Sequence, residues 1–418
     1  MSELLSFAIE PLDAARGNLP LLVRAPEPGI DLLEAFAELQ PLVDRHLLQA
    51  GGILFRGFEV GGAEAFRQFA ASFGHPLLNY EFGSTPRSNV TKGVYTSTEY
   101  PAHQSIPLHN EQAYTLEWPM KIWFYSVIPA ETGGETPIAD SREVYRRMPA
   151  RIRERLVEKG LMYVRNYGNG LDVEWSQVFN TEDPRQVEAY CRAHAIECIW
   201  KDDGELRTRQ RCQVVARHPV TGEDVWFNQA HLFHVSNLQP EVRESLMDIV
   251  EEEDLPRNVY YGDGTTIEDS LLDEVRGVLD ECTISFPWLE NDVLMLDNML
   301  AAHARSPFTG KRKVVVAMAQ GRVVALTVLK VLQGPCGSGL ASRCAVRAAL
   351  DLTGAEAVMA NTCQPDAFPT HAPATYKNSR LFLRLGTGNS TSCEIPYNLC
   401  RHASDCSCKS PTLGFARR

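Results

Sequence analysis

The stretch LDNMLAAHARSPFTGKRKVVVAM occupies residues 296–318 and places His303 between two apolar segments. These segments, VLMLD at 293–297 and KVVVAMA at 313–319, are short, rich in Val, Leu and Met, and bounded by polar, Gly or Pro residues, so they are predicted to be buried strands. His303 is expected just after the first strand. Arg312 leads into the second, from where its guanidinium can pair with a carboxylate through two parallel hydrogen bonds.

A second motif, Leu108-His109-Asn110-Glu111, puts an imidazole and a carboxylate two positions apart. In a loop or strand, both side chains lie on one side of the backbone, and a distant histidine would complete the facial triad that binds iron(II). Such a triad leaves room on the metal for a bidentate 2-oxo acid and for O₂. The His-x-Glu pattern is weak by itself, because a chain with 11 histidines is expected to contain one by chance. The context of His303 and Arg312 strengthens it.

The rest of the first 320 residues alternates short apolar segments with amphipathic ones, without an internal repeat. Helices are predicted at 31–49, 63–73, 141–160, 185–195, 239–254 and 269–281, and further strands at 51–55, 122–128, 213–217 and 224–228. Strands without a regular strand–helix–strand alternation favour an antiparallel sandwich or barrel with helices around it.

Charge and composition exclude several classes of partner. The formal net charge is −12, which argues against binding to a nucleic-acid backbone and, more weakly, to an anionic membrane surface. No apolar run reaches the roughly 18 residues of a membrane helix. The N-terminal residues lack the basic and apolar regions of a secretory signal, so a cytoplasmic location is expected.

The last 98 residues differ in kind from the rest. Residues 321–418 contain 11 Lys and Arg, five Asp and Glu, and seven of the 11 cysteines. We therefore expect an oxygenase domain over 1–320 and an atypical, basic, Cys-rich and poorly ordered tail. A small accessory domain and a frame-shifted reading are the alternatives for the tail.

Several separated blocks resemble the TauD/TfdA family of iron(II)- and 2-oxoglutarate-dependent oxygenases. They are GGILFRGF at 51–58, IPLHNEQAY at 106–114, GGETPIADS at 133–141 and the stretch at 296–318. YTSTEYP at 95–101 and FNQAHLFH at 227–234 are similar to its SyrP-like branch. The resemblance spans about 45–320 and implies an α+β fold: a double-stranded β-helix, or jelly roll, with flanking helices and long insertions.

The resemblance also implies the functional residues. His109, Glu111 and His303 match the iron ligands, Thr136 matches the threonine that hydrogen-bonds 2-oxoglutarate, and Arg312 matches the arginine that holds a carboxylate of this co-substrate. Many relatives have a further arginine four residues beyond, where this chain has Val316, so it stays open which carboxylate Arg312 binds. Halogenating relatives lack the carboxylate ligand. Glu111 therefore favours hydroxylation or desaturation.

The substrate is expected to be a small amino-acid-like molecule, free or tethered to a peptidyl carrier protein, in secondary-metabolite biosynthesis. Candidates for contacting it are Arg305, Asn228, Arg87, Asn89 and His103, and Arg305 could instead support the residues around the metal. For Arg87, Asn89 and Asn228, a structural role in a turn or at the surface is at least as plausible. His231 and His234 are expected to support the core.

Three alternatives remain open at the level of sequence. An iron oxygenase of the cupin type would not use 2-oxoglutarate and would need neither Thr136 nor Arg312. A catalytically inactive relative could keep the fold as a binding module, although all three expected ligands are intact. A zinc hydrolase would need a general base beside the metal-bound water, and the sequence offers no distinct candidate.

Overall fold

The computed structural model describes residues 7–79, 88–98, 100–168, 170–171, 173–202 and 204–323. Most of the tail, from residue 324 on, lies outside these ranges. The strands are β1 Ile9–Pro11, β2 Leu21–Arg24, β3 Gly52–Arg56, β4 Asn89–Thr91, β5 Val94–Thr96, β6 Ile106–His109, β7 Glu117–Ile128, β8 Thr132–Gly133, β9 Ile138–Asp140, β10 Leu161–Tyr167, β11 Glu197–Trp200, β12 Leu206–Cys212, β13 Val215–Arg217, β14 Asp224–Trp226, β15 Arg257–Tyr261, β16 Val293–Asp297, β17 Ala301–Arg305, β18 Phe308–Thr309 and β19 Lys313–Val323.

Helices flank these strands. They are α1 Phe36–Ala50, α2 Ala63–Ala71, α3 Ser141–Arg147, α4 Ala150–Lys159, α5 Trp175–Val178, α6 Pro184–Ala193, α7 Ala230–Phe233, α8 Pro240–Met247 and α9 Asp269–Cys282. Among the described residues, no helix has the length and apolar character needed to cross a membrane.

The largest sheet has eight strands in the order β1-β2-β3-β16-β7-β19-β5-β4, with β2 and β3 parallel and the other neighbours antiparallel. It includes strands that precede residue 45, where the sequence resemblance begins. Its central strands are largely apolar, and both faces of the sheet are covered. On β7, Trp123 and Tyr125 belong to one core cluster and Ile122 and Phe124 to another, as the two-residue period of a strand requires.

The two faces of this sheet are covered differently. Helices α1 and α2 pack on one face, where Leu39, Val43 and Phe66 join the core. The opposite face packs towards a three-stranded sheet of order β6-β17-β9, which contributes Ile138 and Ala301. The candidate iron ligands lie in and just after this smaller sheet. The apolar face of the eight-stranded sheet therefore supports the part of the chain that carries them.

A separate four-stranded antiparallel sheet has the order β11-β12-β10-β15. None of its strands was predicted from the sequence. The reason is visible in β12, LRTRQRC, where the buried alternate positions include Thr208 and Gln210. Polar side chains that face the core through hydrogen bonds remove the apolar alternation by which a strand is recognised.

Three predicted helices differ from the observed ones. The helix predicted at 31–49 begins only at Phe36. The single helix predicted at 141–160 is broken into α3 and α4 at Met148–Pro149, because a proline disfavours helical geometry in the preceding residue and lacks the N–H for the next turn. Its ends were predicted correctly: Asp140 caps the Arg142 N–H, and Gly160 has a φ of 69° at the last turn. The helix predicted at 239–254 ends at Met247, and a 3₁₀ turn follows at Glu252–Asp254.

Candidate active site

Strand pairing brings the two histidines of the sequence motifs together. His109 ends β6, His303 lies in the middle of β17, and the two residues are directly opposite each other in this antiparallel pair. Their ring centroids are 4.4 Å apart. His303 was expected in the loop just after a strand, and it lies within a strand instead. The chain turns at 298–300 after β16, and β17 begins already at Ala301.

His109, Glu111 and His303 each offer a ligand atom, and these atoms lie within 4.8 Å of one another. Among the described residues, this is the one group of three or more His, Cys, Asp or Glu side chains able to hold a metal ion. Glu111 and His303 are each 4% exposed. His303 Nε2 and Glu111 Oε2 are 3.8 Å apart, which is too long for a hydrogen bond, and a cation bound to both would fill this gap.

The chemistry of the donor atoms fits iron(II). His109 Nδ1 lies 2.8 Å from the carbonyl oxygen of Pro107. Because a carbonyl only accepts, the proton must sit on Nδ1 and the lone pair on Nε2, which is how metal-binding histidines are usually oriented. Two imidazoles and one carboxylate form the N₂O set typical of non-haem iron oxygenases.

Side chains from distant segments hold the main chain around Glu111. Asn298 Oδ1 accepts a hydrogen bond from Glu111 N at 2.8 Å, and Asn298 Nδ2 donates to Glu111 O and Pro119 O. Gln229 Nε2 donates to Asn110 O at 2.8 Å. The ligand-bearing turn is thus fixed by amide side chains.

His231 similarly supports the main chain of Leu108, the residue before His109. Its Nε2 lies 2.8 Å from the carbonyl oxygen of Leu108, and the side chain is buried. Burial lowers the pKa of His231 to about 4, so the ring is neutral at pH 7 and donates from Nε2. The structure places His231 in the supporting role expected for it. Asn298 and Gln229 lie in blocks quoted for the family resemblance, at 296–318 and 227–234, but they were not predicted as functional residues.

A cavity beside these ligands contains both residues predicted to bind 2-oxoglutarate. Its lining includes His109, His303, Thr136, Arg312 and Val316. Arg312 donates from Nε to Gly134 O at 2.8 Å and from Nη1 to Ser97 Oγ at 3.2 Å. Burial lowers the pKa of Arg312 to about 10, and the nearby charge of Arg305 acts in the same direction. The guanidinium is nevertheless protonated at neutral pH.

Glycines 133 and 134 allow the segment before Thr136 to approach its neighbours closely. Both have positive φ, and a Cβ on Gly133 would lie 2.1 Å from the carbonyl oxygen of Pro307. Gly134 N also donates to Pro307 O at 3.0 Å. A larger residue would push this segment, and Thr136 with it, away from the turn that follows β17.

Arg305 lines the same cavity but is held by main-chain atoms. Its guanidinium donates to the carbonyl oxygens of Tyr100, Pro101 and Gln104 at 2.7–2.9 Å, and the side chain is buried. In this arrangement Arg305 fixes the segment 100–104, which connects cavity residues Thr98 and Ile106.

Of the other substrate candidates, those in the described part of the chain do not line the cavity. Asn228 is buried, and its amide bonds to Val214 O and Ala230 N. Asn89 and His103 are exposed. Arg87 lies outside the described residues.

Comparison with known proteins gives consistent results. The family model "Taurine catabolism dioxygenase TauD, TfdA family" matches residues 10–318. The dapdiamide synthesis protein DdaC of Enterobacter agglomerans is 39% identical over 313 residues, which cover 75% of this chain and 94% of that protein. A clavaminate synthase-like protein of Arabidopsis thaliana is 32% identical over 291 residues, covering 66% of this chain and 83% of that protein.

Solved structures also match. PvcB of Pseudomonas aeruginosa aligns over 76% of this chain and 92% of its own, with a TM-score of 0.44 and 16% identity. From the family match over residues 10–318, the two relatives above 30% identity and the His-Glu-His group, we conclude that the chain belongs to the TauD/TfdA family of iron(II)- and 2-oxoglutarate-dependent dioxygenases.

Proposed function

We propose that this dioxygenase hydroxylates an unactivated C–H bond of a small amino-acid-like substrate in secondary-metabolite biosynthesis. In this proposal His109, Glu111 and His303 hold iron(II), and Thr136 and Arg312 bind 2-oxoglutarate. The observation that carries it is that the three candidate ligands form one group, of which His109 and His303 line a cavity. The same cavity contains the partly buried Arg312 and the buried Thr136.

The residues of the chain would bind, orient and shield the reactants. When bound, iron(II) with 2-oxoglutarate and O₂ supplies the oxidising power for C–H hydroxylation, through oxidative decarboxylation of the co-substrate. Arg312 offers a partly buried positive charge to one carboxylate of the co-substrate. Two apolar side chains, Phe124 and Val316, line the cavity and help to exclude water. The ring centroids of Phe124 and His303 are 4.9 Å apart.

The retained carboxylate of Glu111 supports hydroxylation or desaturation over halogenation. We also infer that the eight-stranded and three-stranded sheets form the double-stranded β-helix implied by the sequence resemblance. The packing of β6, β17 and β9 over the apolar face of the larger sheet supports this inference.

The biosynthetic role is supported by a relative. DdaC is named for dapdiamide synthesis, which suggests a small amide- or amino-acid-derived metabolite for this chain as well. Whether the substrate is free or tethered to a carrier protein can be tested by measuring succinate release with amino acids in both forms.

The first experiment measures co-substrate binding directly. Iron(II) and then 2-oxoglutarate are added without oxygen to the purified apo-protein, and the visible absorption band that a 2-oxo acid gives with iron(II) is recorded. We expect the band in the wild type and its loss in His109→Ala and His303→Ala. Arg312→Ala should need about ten- to a hundredfold more 2-oxoglutarate, because a charge-assisted pair is lost.

The same titration separates the alternatives. Iron binding without a band would contradict the 2-oxoglutarate assignment and favour a 2-oxoglutarate-independent iron oxygenase. A band without succinate release for any free or carrier-bound amino acid would favour an inactive binding relative or a different substrate class. Asn228→Ala is a suitable control, because among the described residues this buried amide bonds only to the main chain of Val214 and Ala230, which do not line the cavity.

A further inference from the structure

A tryptophan outside the sequence motifs contacts the proposed co-substrate site. Trp288 Nε1 lies 3.1 Å from Thr136 Oγ1, and the two residues are 7% and 2% exposed. Trp288 belongs to the segment between α9 and β16, and its ring packs in the core cluster between the two sheets. The contact is therefore an enclosed hydrogen bond between side chains that are far apart in sequence.

The direction of this hydrogen bond is unambiguous. An indole N–H only donates, so the threonine oxygen must be the acceptor. A hydroxyl has one proton and two lone pairs, and accepting from the indole leaves its proton for another acceptor. Within the described part of the chain, this is the single hydrogen bond of the Thr136 side chain. Thr136 also lines the cavity, where an acceptor-only carboxylate would be bound.

The main chain on both sides of Thr136 is held in place. Ser306 N donates to Glu135 O at 3.1 Å, and Ala304 N donates to Pro137 O at 2.8 Å. Because the backbone is fixed, the remaining freedom of Thr136 is rotation about its side-chain bonds, and the hydrogen bond from Trp288 restricts that rotation.

We infer that Trp288 is a positioning residue for the co-substrate: it occupies a lone pair of the Thr136 hydroxyl and so directs the hydroxyl proton to a carboxylate of 2-oxoglutarate bound with Arg312. This inference rests on the proposed function, in which Thr136 binds 2-oxoglutarate. Trp288 itself does not touch the co-substrate and acts through Thr136 alone.

The test is a double-mutant cycle on 2-oxoglutarate affinity, read from the anaerobic visible band of the full-length protein with iron(II). Trp288→Phe and Thr136→Val are each expected to raise the Kd for 2-oxoglutarate, by about threefold and about tenfold respectively. The Kd for iron(II) should not change. In the Thr136→Val background, Trp288→Phe should have no further effect, because no hydroxyl is left to orient.

Two controls separate hydrogen bonding from packing. Trp123→Phe makes the same change at a buried indole whose Nε1 has no hydrogen-bond partner among the described residues, and should leave the Kd for 2-oxoglutarate unchanged. Placing 3-benzothienylalanine at position 288 keeps the bicyclic shape and removes only the N–H donor. This variant should weaken 2-oxoglutarate binding as Trp288→Phe does, even if the smaller phenylalanine disturbs folding.

The inference is overturned if the benzothienyl variant binds 2-oxoglutarate as the wild type does. It is also overturned if Trp288→Phe weakens binding equally with and without the Thr136 hydroxyl. These outcomes are visible only in the variants. Failure of the proposed function would already appear in the wild type, as a missing band.

Discussion

The main chain of Glu111 is held by a single side chain, that of Asn298. Asn298 is fully buried, receives the Glu111 N–H on its amide oxygen and donates to the Glu111 and Pro119 carbonyls. A carboxylate ligand on an unsupported turn would have to be ordered whenever a metal binds. The asparagine clamp pre-orders it, so part of the entropic cost is met during folding.

We predict that Asn298→Ala lowers both stability and iron affinity. The loss of three buried hydrogen bonds should reduce the free energy of unfolding by about 2–4 kcal/mol, and the Kd for iron(II) should rise about ten- to a hundredfold. Denaturant unfolding and anaerobic calorimetry measure the two effects.

The matched control for this prediction is Asn166→Ala. Asn166 is equally buried and also makes three hydrogen bonds, to Glu253 O, Leu255 O and Arg207 Nε. It lies in the four-stranded sheet, away from the ligands. It should lose stability and keep the wild-type iron affinity. Equal loss of iron affinity in both variants would mean that Asn298 acts only on the stability of the fold.

At the scale of secondary-structure elements, β17 connects the metal ligand to the rim of the cavity. His303 and Arg305 lie two residues apart on this strand. Arg305 donates to three carbonyls of the segment 100–104, and Phe308 N donates to Ala102 O at 2.9 Å. The segment is exposed, so these tethers are what keep it beside the cavity.

We predict that Arg305→Gln loosens this segment while iron remains bound. Glutamine is shorter and offers two donors from one nitrogen, so it cannot reach all three carbonyls. Hydrogen exchange at residues 100–106 should accelerate about tenfold or more, and exchange in β7 and β16 should not change. Unaltered exchange at 100–106 would show that other contacts hold the segment.

At the scale of the whole molecule, two buried histidines predict acid sensitivity. Burial lowers the pKa of His231 and of His234 to about 4, from an ordinary value of 6.5. Between these values the unfolded chain takes up protons that the native state does not, so stability falls as the pH is lowered from 6.5 to 4. Each histidine should cost on the order of 3 kcal/mol over this window.

Chemical unfolding at pH 7 and pH 5 measures this effect. The free energy of unfolding should be lower at pH 5, and the difference should shrink in His234→Gln, whose side chain does not titrate. An unchanged difference between the two pH values in this variant would exclude His234 as a contributor.

The last strand of the eight-stranded sheet, β19, runs past residue 320. Residues Gly321, Arg322 and Val323 pair with Pro119, Trp118 and Glu117 at the end of β19, so a division after residue 320 would cut a strand. We propose that the unit ends after Val323. A chain of residues 1–323 is then predicted to bind iron(II) and 2-oxoglutarate with the affinities of the full chain. Loss of either affinity would assign the remaining residues to the core.

The sequence alone determined the chemical class of the protein. The residue types at His109, Glu111 and His303 restrict the metal, because imidazole and carboxylate are intrinsic properties of the side chains. Arg312 likewise predicted a carboxylate partner. Strands such as β16 were predicted with their correct bounds. All five residues of β16 are buried, so its sequence is a short apolar run that polar residues delimit.

Only the tertiary structure decided which residues meet. The register of β6 and β17 places His109 opposite His303, and a shift by one residue would turn one ring to the other face of the sheet. Asn298, Gln229 and Trp288 act through hydrogen bonds to atoms that are distant in sequence, and such contacts leave no periodic trace in the chain. Arg305 was predicted from the sequence only as a cation near the substrate, and its contacts became visible when folding brought three carbonyls to it.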